Sequence, residues 1–314
     1  MADAARMTTT PGPPALVLRP QALAAGLVDD EIRRLRRRGE WSTLQRGAYL
    51  VGPADLDRRQ RHVLRVRATV AALRVPAVVS HASAAALHEL PLWGIQLDQV
   101  HVTRQPPARS GSERRLRSHV ARLGSADVVL IGGTAVTSVA RTVVDLGRSV
   151  SFASALVVAD AAMSSGRATA ERLGAVFDAS AGTRGTRTAR RVLRAADGRS
   201  ESVGESRSRA LMIERGIPLP DLQVAVHRPD GRFVGRSDFG WRQQRLLGEF
   251  DGRVKYGRLL RPGESPGDAV FAEKRREDAL RDEGWGVVRW TWEDLAAPAQ
   301  LVARWGRALE RGAQ

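Results

Sequence analysis

Phe233-Val234-Gly235-Arg236-Ser237-Asp238-Phe239-Gly240-Trp241, the connection Arg242-Gln243-Gln244, and then Arg245-Leu246-Leu247-Gly248-Glu249-Phe250-Asp251-Gly252 form the stretch on which the fold of the C-terminal third turns. Two runs rich in β-branched, aromatic and aliphatic residues, entered through the turn Pro229-Asp230-Gly231, predict neighbouring strands. Side chains alternate along a strand, so Glu249 and Asp251 point to one face and Asp238 can stand beside them. Carboxylates gathered among Phe239, Leu246, Leu247 and Phe250 repel one another and cost burial energy unless a cation joins them. Hard oxygen donors suit Mg²⁺ (or Mn²⁺), which keeps waters for attack on a phosphodiester. The competing reading is three solvent-facing acids on an edge strand.

Working outward, Ser202-Val203-Gly204-Glu205 has the spacing of a capping box and opens a helix through Leu211 and Ile213 that stops at Gly216-Ile217-Pro218. Gln223 to Val226 predicts a first strand. After a loop rich in Gly and Pro, Val270 to Glu283 predicts a charged helix, and Val287 to Trp290 a last strand. Of the 50 basic residues only Lys255 and Lys274 are lysine, and both fall in this region. An ammonium is a compact point charge able to steer or activate a water, a task for which arginine is unsuited.

Towards the N-terminus, residues 1–17 are rich in Ala, Thr and Pro and predict a disordered lead-in. From Gln21 the pattern turns helical, and Asp29-Asp30-Glu31 opens a second helix that Gly39 ends. Trp41 to Val51 then reads as two short strands about Arg46-Gly47, a wing, which with the two helices predicts a winged helix-turn-helix over 18–76. Between Asp30 and Thr69 there are 11 arginines against 5 acids, enough to hold a phosphate backbone. Arg33, Arg36, Arg37, Arg38 and Arg46 are the candidate contacts, the alternative being a solvated basic face. Residues 77–195 mix strands (Val78-Val79, Gln99 to Thr103, Val128 to Ile131) with helices (Ala82 to Leu90, Ser138 to Leu146, Phe152 to Ala162), an α+β middle region. His81 and His88 stand seven apart with no third ligand near in sequence, so both are expected to be core or surface histidines.

Composition sets the outer limits. A chain of 314 residues exceeds one ordinary core of about 100–150 residues. Its 43% hydrophobic and 27% charged residues are those of a globular protein. The net charge of +16 favours a polyanionic partner, although an arginine-biased proteome has the same effect. The absence of cysteine excludes disulfides, thiolate metal sites and cysteine nucleophiles. Neither a secretory leader nor an apolar run long enough to span a bilayer is present, so a cytoplasmic protein without membrane contact is expected.

Two resemblances add to this reading. Arg37-Arg38-Gly39 to Gly47-Ala48-Tyr49, His81-Ala82-Ser83-Ala84-Ala85 and Val136-Thr137-Ser138-Val139-Ala140-Arg141-Thr142-Val143-Val144-Asp145, across residues 20 to 150, resemble AbiE-type antitoxins of abortive-infection systems, which implies DNA binding. The string Ser237-Asp238-Phe239 … Gly248-Glu249-Phe250-Asp251-Gly252, with its order of helix, strands, helix and strand over residues 200 to 295, resembles the PD-(D/E)XK nucleases, in particular domains related to very-short-patch repair endonucleases. That resemblance implies metal ligation by Asp238 and Glu249, assistance from Glu205, and a lysine serving the attacking water. Where that family carries its usual lysine, two positions after Glu249, this chain has Asp251, so the role falls to Lys255 or Lys274. The expectation is an α+β / α/β multidomain protein ending in a restriction-endonuclease-like mixed sheet flanked by helices over 200–314. As a function it predicts DNA binding with metal-dependent endonuclease chemistry. The alternative is a non-catalytic antitoxin-type DNA-binding transcriptional regulator, whose further partner would be a toxin.

Overall fold

The computed structural model describes residues 14–52, 55–180, 184–252 and 266–312. Among the described residues the chain is mixed α and β, with three sheets and their helices divided between two compact units. Unit 1 comprises residues 1–89 and 96–138, and unit 2 comprises residues 90–95 and 139–314.

Unit 1 begins with β1 (Ala15–Leu18), α1 (Arg19–Ala24), α2 (Asp29–Arg37), β2 (Trp41–Gln45) and β3 (Ala48–Val51), followed by α3 (Arg58–Ala72). The strands form an antiparallel sheet in the order β1-β3-β2. Ala15, Leu16 and Val17 are therefore strand residues rather than part of a disordered lead-in. The run Ala15-Leu16-Val17-Leu18 has alternating faces to bury, and composition averaged over 17 residues concealed it. Leu16 and Leu18 join Leu44 and Leu50 against Leu64 and Ala68 of α3. Val17, Trp41 and Tyr49, on the opposite face, close over Ala22 and Ile32. Asp57 caps α3 by accepting from the Gln60 amide at 2.8 Å, which removes one of the four orphan donors of that helix end.

The second sheet of unit 1 has six strands in the order β6-β7-β5-β4-β9-β8. They are β4 (Val78–Val79), β5 (Val100–Arg104), β6 (Gly111–Ser112), β7 (Leu116–Val120), β8 (Val128–Ile131) and β9 (Thr134–Thr137), with α4 (His81–Leu87) after β4. The pairs β5–β7 and β4–β9 are parallel and the others antiparallel. Val66 of α3 and Ala84 of α4 pack with Val79, Val100, Val102 and Val136, so the small alanines of α4 let that helix approach closely.

Unit 2 opens with α5 (Val139–Ser149), α6 (Phe152–Ser164), α7 (Ala170–Ala179) and α8 (Thr186–Ala195). Next come α9 (Val203–Arg215), β10 (Asp221–His227), β11 (Phe233–Trp241), β12 (Leu246–Asp251), α10 (Pro266–Asp282), β13 (Gly286–Thr291), α11 (Trp292–Ala296) and α12 (Pro298–Gly312). The sheet order is β10-β11-β12-β13, antiparallel except for the parallel pair β12–β13, which needs a crossover of the length that α10 supplies. One core gathers Met212, Phe239, Trp241, Phe250, Trp290 and Trp305. A second gathers Val224, Val226, Leu247 and Leu280. The indole N–H of Trp290 donates to Ser208 Oγ at 2.7 Å, so this buried donor is satisfied by the helix packed over it. Gly204 is required on α9 because the Phe250 ring fills the space a Cβ would take.

Candidate functional site

Serine at position 202 starts α9, and its hydroxyl accepts from the Glu205 amide at 3.1 Å. The reciprocal half of a capping box would return the Glu205 carboxylate to the backbone amide of the cap residue. Instead Glu205 Oε2 accepts from the Glu201 amide at 2.9 Å and from Gln223 Nε2 at 3.0 Å. The side chain is thus turned inward from α9 to β10, and Glu205 is 5% exposed. Burial pushes its carboxyl above the ordinary range, and the neighbouring charges of Asp238 and Glu201 push the same way, against the amide and hydroxyl hydrogen bonds that lower it.

Asp238 lies on β11, one residue before the Phe239–Gly248 pair of the β11–β12 ladder. Its Oδ2 accepts from the amide of Phe250 at 2.9 Å, which ties it to the strand that bears Glu249 and Asp251. Ser237 Oγ donates to the Gly248 carbonyl at 2.9 Å, a second tie across the same step. Glu249 is held by two guanidinium groups, Arg276 Nη2 at 2.6 Å and Arg289 Nη2 at 3.0 Å. Arg289 also reaches Glu277 Oε2 at 3.0 Å, and Arg276 Nη1 donates to the Arg236 carbonyl at 3.1 Å. Arg236 in turn pairs with both oxygens of Glu201 at 3.0 Å. Asp251, half-buried at the end of β12, is opposite Thr291 in the parallel register.

The four carboxylates expected from the sequence thus come from α9, β11 and β12 of one unit, with Glu205 and Asp238 electrostatically coupled. Lys274 is exposed on α10, and Lys255 lies outside the described residues. The cations that contact Glu249 are Arg276 and Arg289, which sequence reasoning missed. With 48 arginines in the chain, nothing in composition separates these two from the rest. An open cleft of about 620 Å³ beside β12 and β13 is lined by Arg245, Arg289, Arg304 and Arg311, so Arg289 belongs to both the cleft and the Glu249 pair.

In unit 1, Arg33, Arg36 and Arg37 are exposed on α2, Arg38 caps its C-terminus, and Arg46 sits exposed in the β2–β3 turn. Arg33 pairs with Asp30, Arg38 lies 3.9 Å from Glu40, and Arg36 stands 6.0 Å over the Tyr49 ring. Tyr49 belongs to β3, so the helix and hairpin carrying these cations are packed on one another. Arg141 and Asp145 of α5 form a buried pair at 3.1 Å, a packing role within unit 2.

His88 is a core histidine whose Nε2 meets the Thr137 carbonyl at 2.7 Å. His81 differs from that expectation. Its ring stacks on His119 with centroids 3.7 Å apart, and His101 Nδ1 lies 3.1 Å from His119 Nε2. Among the described residues, His81, His101 and His119 are the set of three ligand-bearing side chains whose donor atoms all lie within 4.8 Å of one another, a distance that no three of the carboxylates meet. The two missing partners come 20 and 38 residues further along the chain, from strands that only the fold brings beside α4. Nothing in a helical spacing could have found them.

No family model matches the chain. Over 182 residues it is 33% identical to two uncharacterized proteins of Mycobacterium tuberculosis, MT2308 and Rv2248, from two strains of that organism. The match takes in 58% of this chain and 64% of each relative, so the chain spans less than two thirds of their length. The crystal structure of the RV2827C protein from Mycobacterium tuberculosis aligns at 16% identity with a TM-score of 0.39, covering 69% of this chain and 85% of that one. Among the described residues no helix is long and apolar enough to cross a membrane.

Proposed function

We propose that this chain is a cytoplasmic DNA-binding protein whose C-terminal part, of the PD-(D/E)XK type, hydrolyses phosphodiesters with the help of a divalent metal. The observation that carries the reading is the buried Glu205, its carboxyl raised by desolvation and by Asp238, beside a strand that bears Glu249 and Asp251. Acids brought together in partial burial are relieved by a cation, and an all-oxygen donor set is the chemistry of Mg²⁺ or Mn²⁺. Asp238, Glu249 and Asp251 would hold the ion once their side chains close in and Glu249 leaves its arginines, and the ion would polarise a phosphoryl oxygen and acidify a bound water. Arg276 supplies positive charge where the resemblance implies a lysine. A guanidinium does not deprotonate near neutral pH, so its part is to place fixed positive charge beside Glu249 rather than to act as a base. The exposed arginines of α2 and of the β2–β3 turn form a winged-helix surface for the duplex backbone, and the arginine-lined cleft adds further phosphate contacts.

The deciding experiment incubates the protein with plasmid, branched and single-stranded DNA, with Mg²⁺ or Mn²⁺ or a chelator, beside Asp238→Ala. Metal-dependent cutting that the substitution abolishes is the expected result. A second reading, a non-catalytic antitoxin-type regulator, is favoured by the engagement of Glu249 with Arg276 and Arg289, which occupies a carboxylate the nuclease needs for metal. Salt-sensitive DNA binding without cutting on any substrate would decide for that reading, and a toxin partner would then be sought by co-purification.

A further inference from the structure

Three of the six histidines of the chain meet at one place in unit 1. His81 is the first residue of α4, directly after β4, while His101 and His119 lie on the adjacent parallel strands β5 and β7. His81 takes φ of 52°, a left-handed conformation that a side chain adopts only where its surroundings impose it. Its Nδ1 meets Ser80 Oγ at 2.9 Å. The other ring nitrogen is thereby turned away from Ser80, the arrangement in which the partner of one nitrogen fixes the role of the other.

We propose that His81, His101 and His119 form a binding site for a divalent transition metal of imidazole preference, Zn²⁺ above all. Zn–N bonds of about 2.0–2.1 Å at tetrahedral angles set donor nitrogens about 3.3 Å apart. The His101–His119 pair is already at 3.1 Å, and all three donors lie within 4.8 Å. Closing on a metal therefore takes rotation of side chains, with the His81–His119 stack opening, and no movement of the strands.

Imidazole binds metal through the lone pair of a neutral ring nitrogen, and each of the three rings brings one such atom to the cluster. A second observation comes from Thr103. It stands two residues after His101 on β5, opposite His119 in the parallel register, and is 1% exposed. Its hydroxyl has no hydrogen-bond partner among the described residues, which is costly for a buried polar group. Three protein ligands leave a fourth position for water, and a water held there would be a partner of the right kind for that hydroxyl. His101 and His119 are half-buried, which leaves the ion a way in. Imidazole nitrogen selects Zn²⁺ over the Mg²⁺ invoked for the carboxylates, so the two sites differ in metal as well as in place.

The test uses the full chain stripped with chelator and titrated with Zn²⁺, and with Co²⁺ as an optical probe. In excess Mg²⁺, which occupies oxygen-donor sites, wild type is expected to bind one equivalent, with Co²⁺ giving visible bands of tetrahedral intensity. His101→Gln and His119→Gln are each expected to weaken binding by at least about tenfold while the circular dichroism spectrum is kept. X-ray absorption of the Zn²⁺-loaded wild type reads the ligands without any substitution, and three imidazole nitrogens are expected. No binding to folded wild type, absorption spectra without imidazole scattering, or undiminished affinity in both histidine variants would each overturn the site.

Discussion

Breaking the buried ion pair between Asp160 and Arg209 is the sharpest test of how α9, and with it Glu205, is held. The Asp160 side chain is 0% exposed and that of Arg209 8%, with Nη1 to Oδ2 at 2.6 Å. Asp160 Oδ1 also accepts from the Asp197 amide at 2.9 Å, and Arg209 donates from Nη2 to the Ala195 carbonyl. Asp160→Ala leaves a guanidinium in the interior without its counter-charge and an amide without its acceptor. Losing one partner of a buried pair costs about 3–5 kcal/mol. For a cooperative unit of this size that is a melting-point drop of roughly 6–20 °C, read by calorimetry on the full chain. The pair itself is a different matter. Burial pushes the Asp160 carboxyl above its ordinary range, against the pull of Arg209. The native state therefore holds that proton more tightly than the unfolded state, and the contribution of Asp160 to stability declines as pH rises from the ordinary carboxylate value through its raised one. A buried pair on which desolvation weighs so heavily should be replaceable by matched apolar groups. Asp160→Leu with Arg209→Met is expected to recover most of the single-variant loss. A loss below about 1 kcal/mol in Asp160→Ala, or a double variant as unstable as the single one, would refute this reasoning.

Three further outcomes are expected. Glu205→Gln removes a carboxyl whose folded pKa is raised, so the variant should gain stability relative to wild type as pH climbs above about 4.5, followed by urea unfolding at several pH values. His62 is buried between the Leu97 carbonyl and Ser83 Oγ and pushed down to about 4, mainly by burial. Its lowered folded pKa makes stability fall as pH drops from about 6.5 towards 4, by up to about 3 kcal/mol, and His62→Gln in metal-free protein should flatten that part of the denaturation profile. Gly204→Ala would gain about 1 kcal/mol on an open helix surface. Here the Phe250 ring stands in the way, so a loss of about 1–3 kcal/mol is expected in a chemical melt.

What could be read from the chain was what its residues settle among near neighbours. The strands at Phe233–Trp241 and Leu246–Asp251 followed from short apolar runs between turn residues, and α9 from Ser202 and Gly216 at its two ends. By contrast, α7 went unseen although Thr169 caps it, because a single good cap before Ala170-Glu171-Arg172 is weak against the polar residues around it. The strands β7 and β9 also went unseen. Leu116-Arg117-Ser118-His119-Val120 owes its place to pairing with β5 rather than to any alternation of its own, since β-propensity reports fit to a neighbour more than a backbone preference.

The same distinction explains the sites. Asp238, Glu249 and Asp251 were legible because a strand puts alternate residues on one face, and an acid among phenylalanines and leucines is conspicuous. Their cations were not. A lysine is rare here and so drew notice, yet Lys274 is exposed while Arg276 and Arg289, lost among 48 arginines, are what touch Glu249. In a chain that uses arginine nearly everywhere, the informative quantity is which acid a guanidinium reaches, and that is fixed by the parallel register of β12 on β13 and by the turn of α10 facing them. The histidines carry the argument to its limit. His81, His101 and His119 have no shared periodicity, and each alone is an ordinary core or surface residue. Their meaning lies wholly in the crossover that sets β5 beside both β4 and β7, so a metal assay on the intact chain will say more about them than any motif.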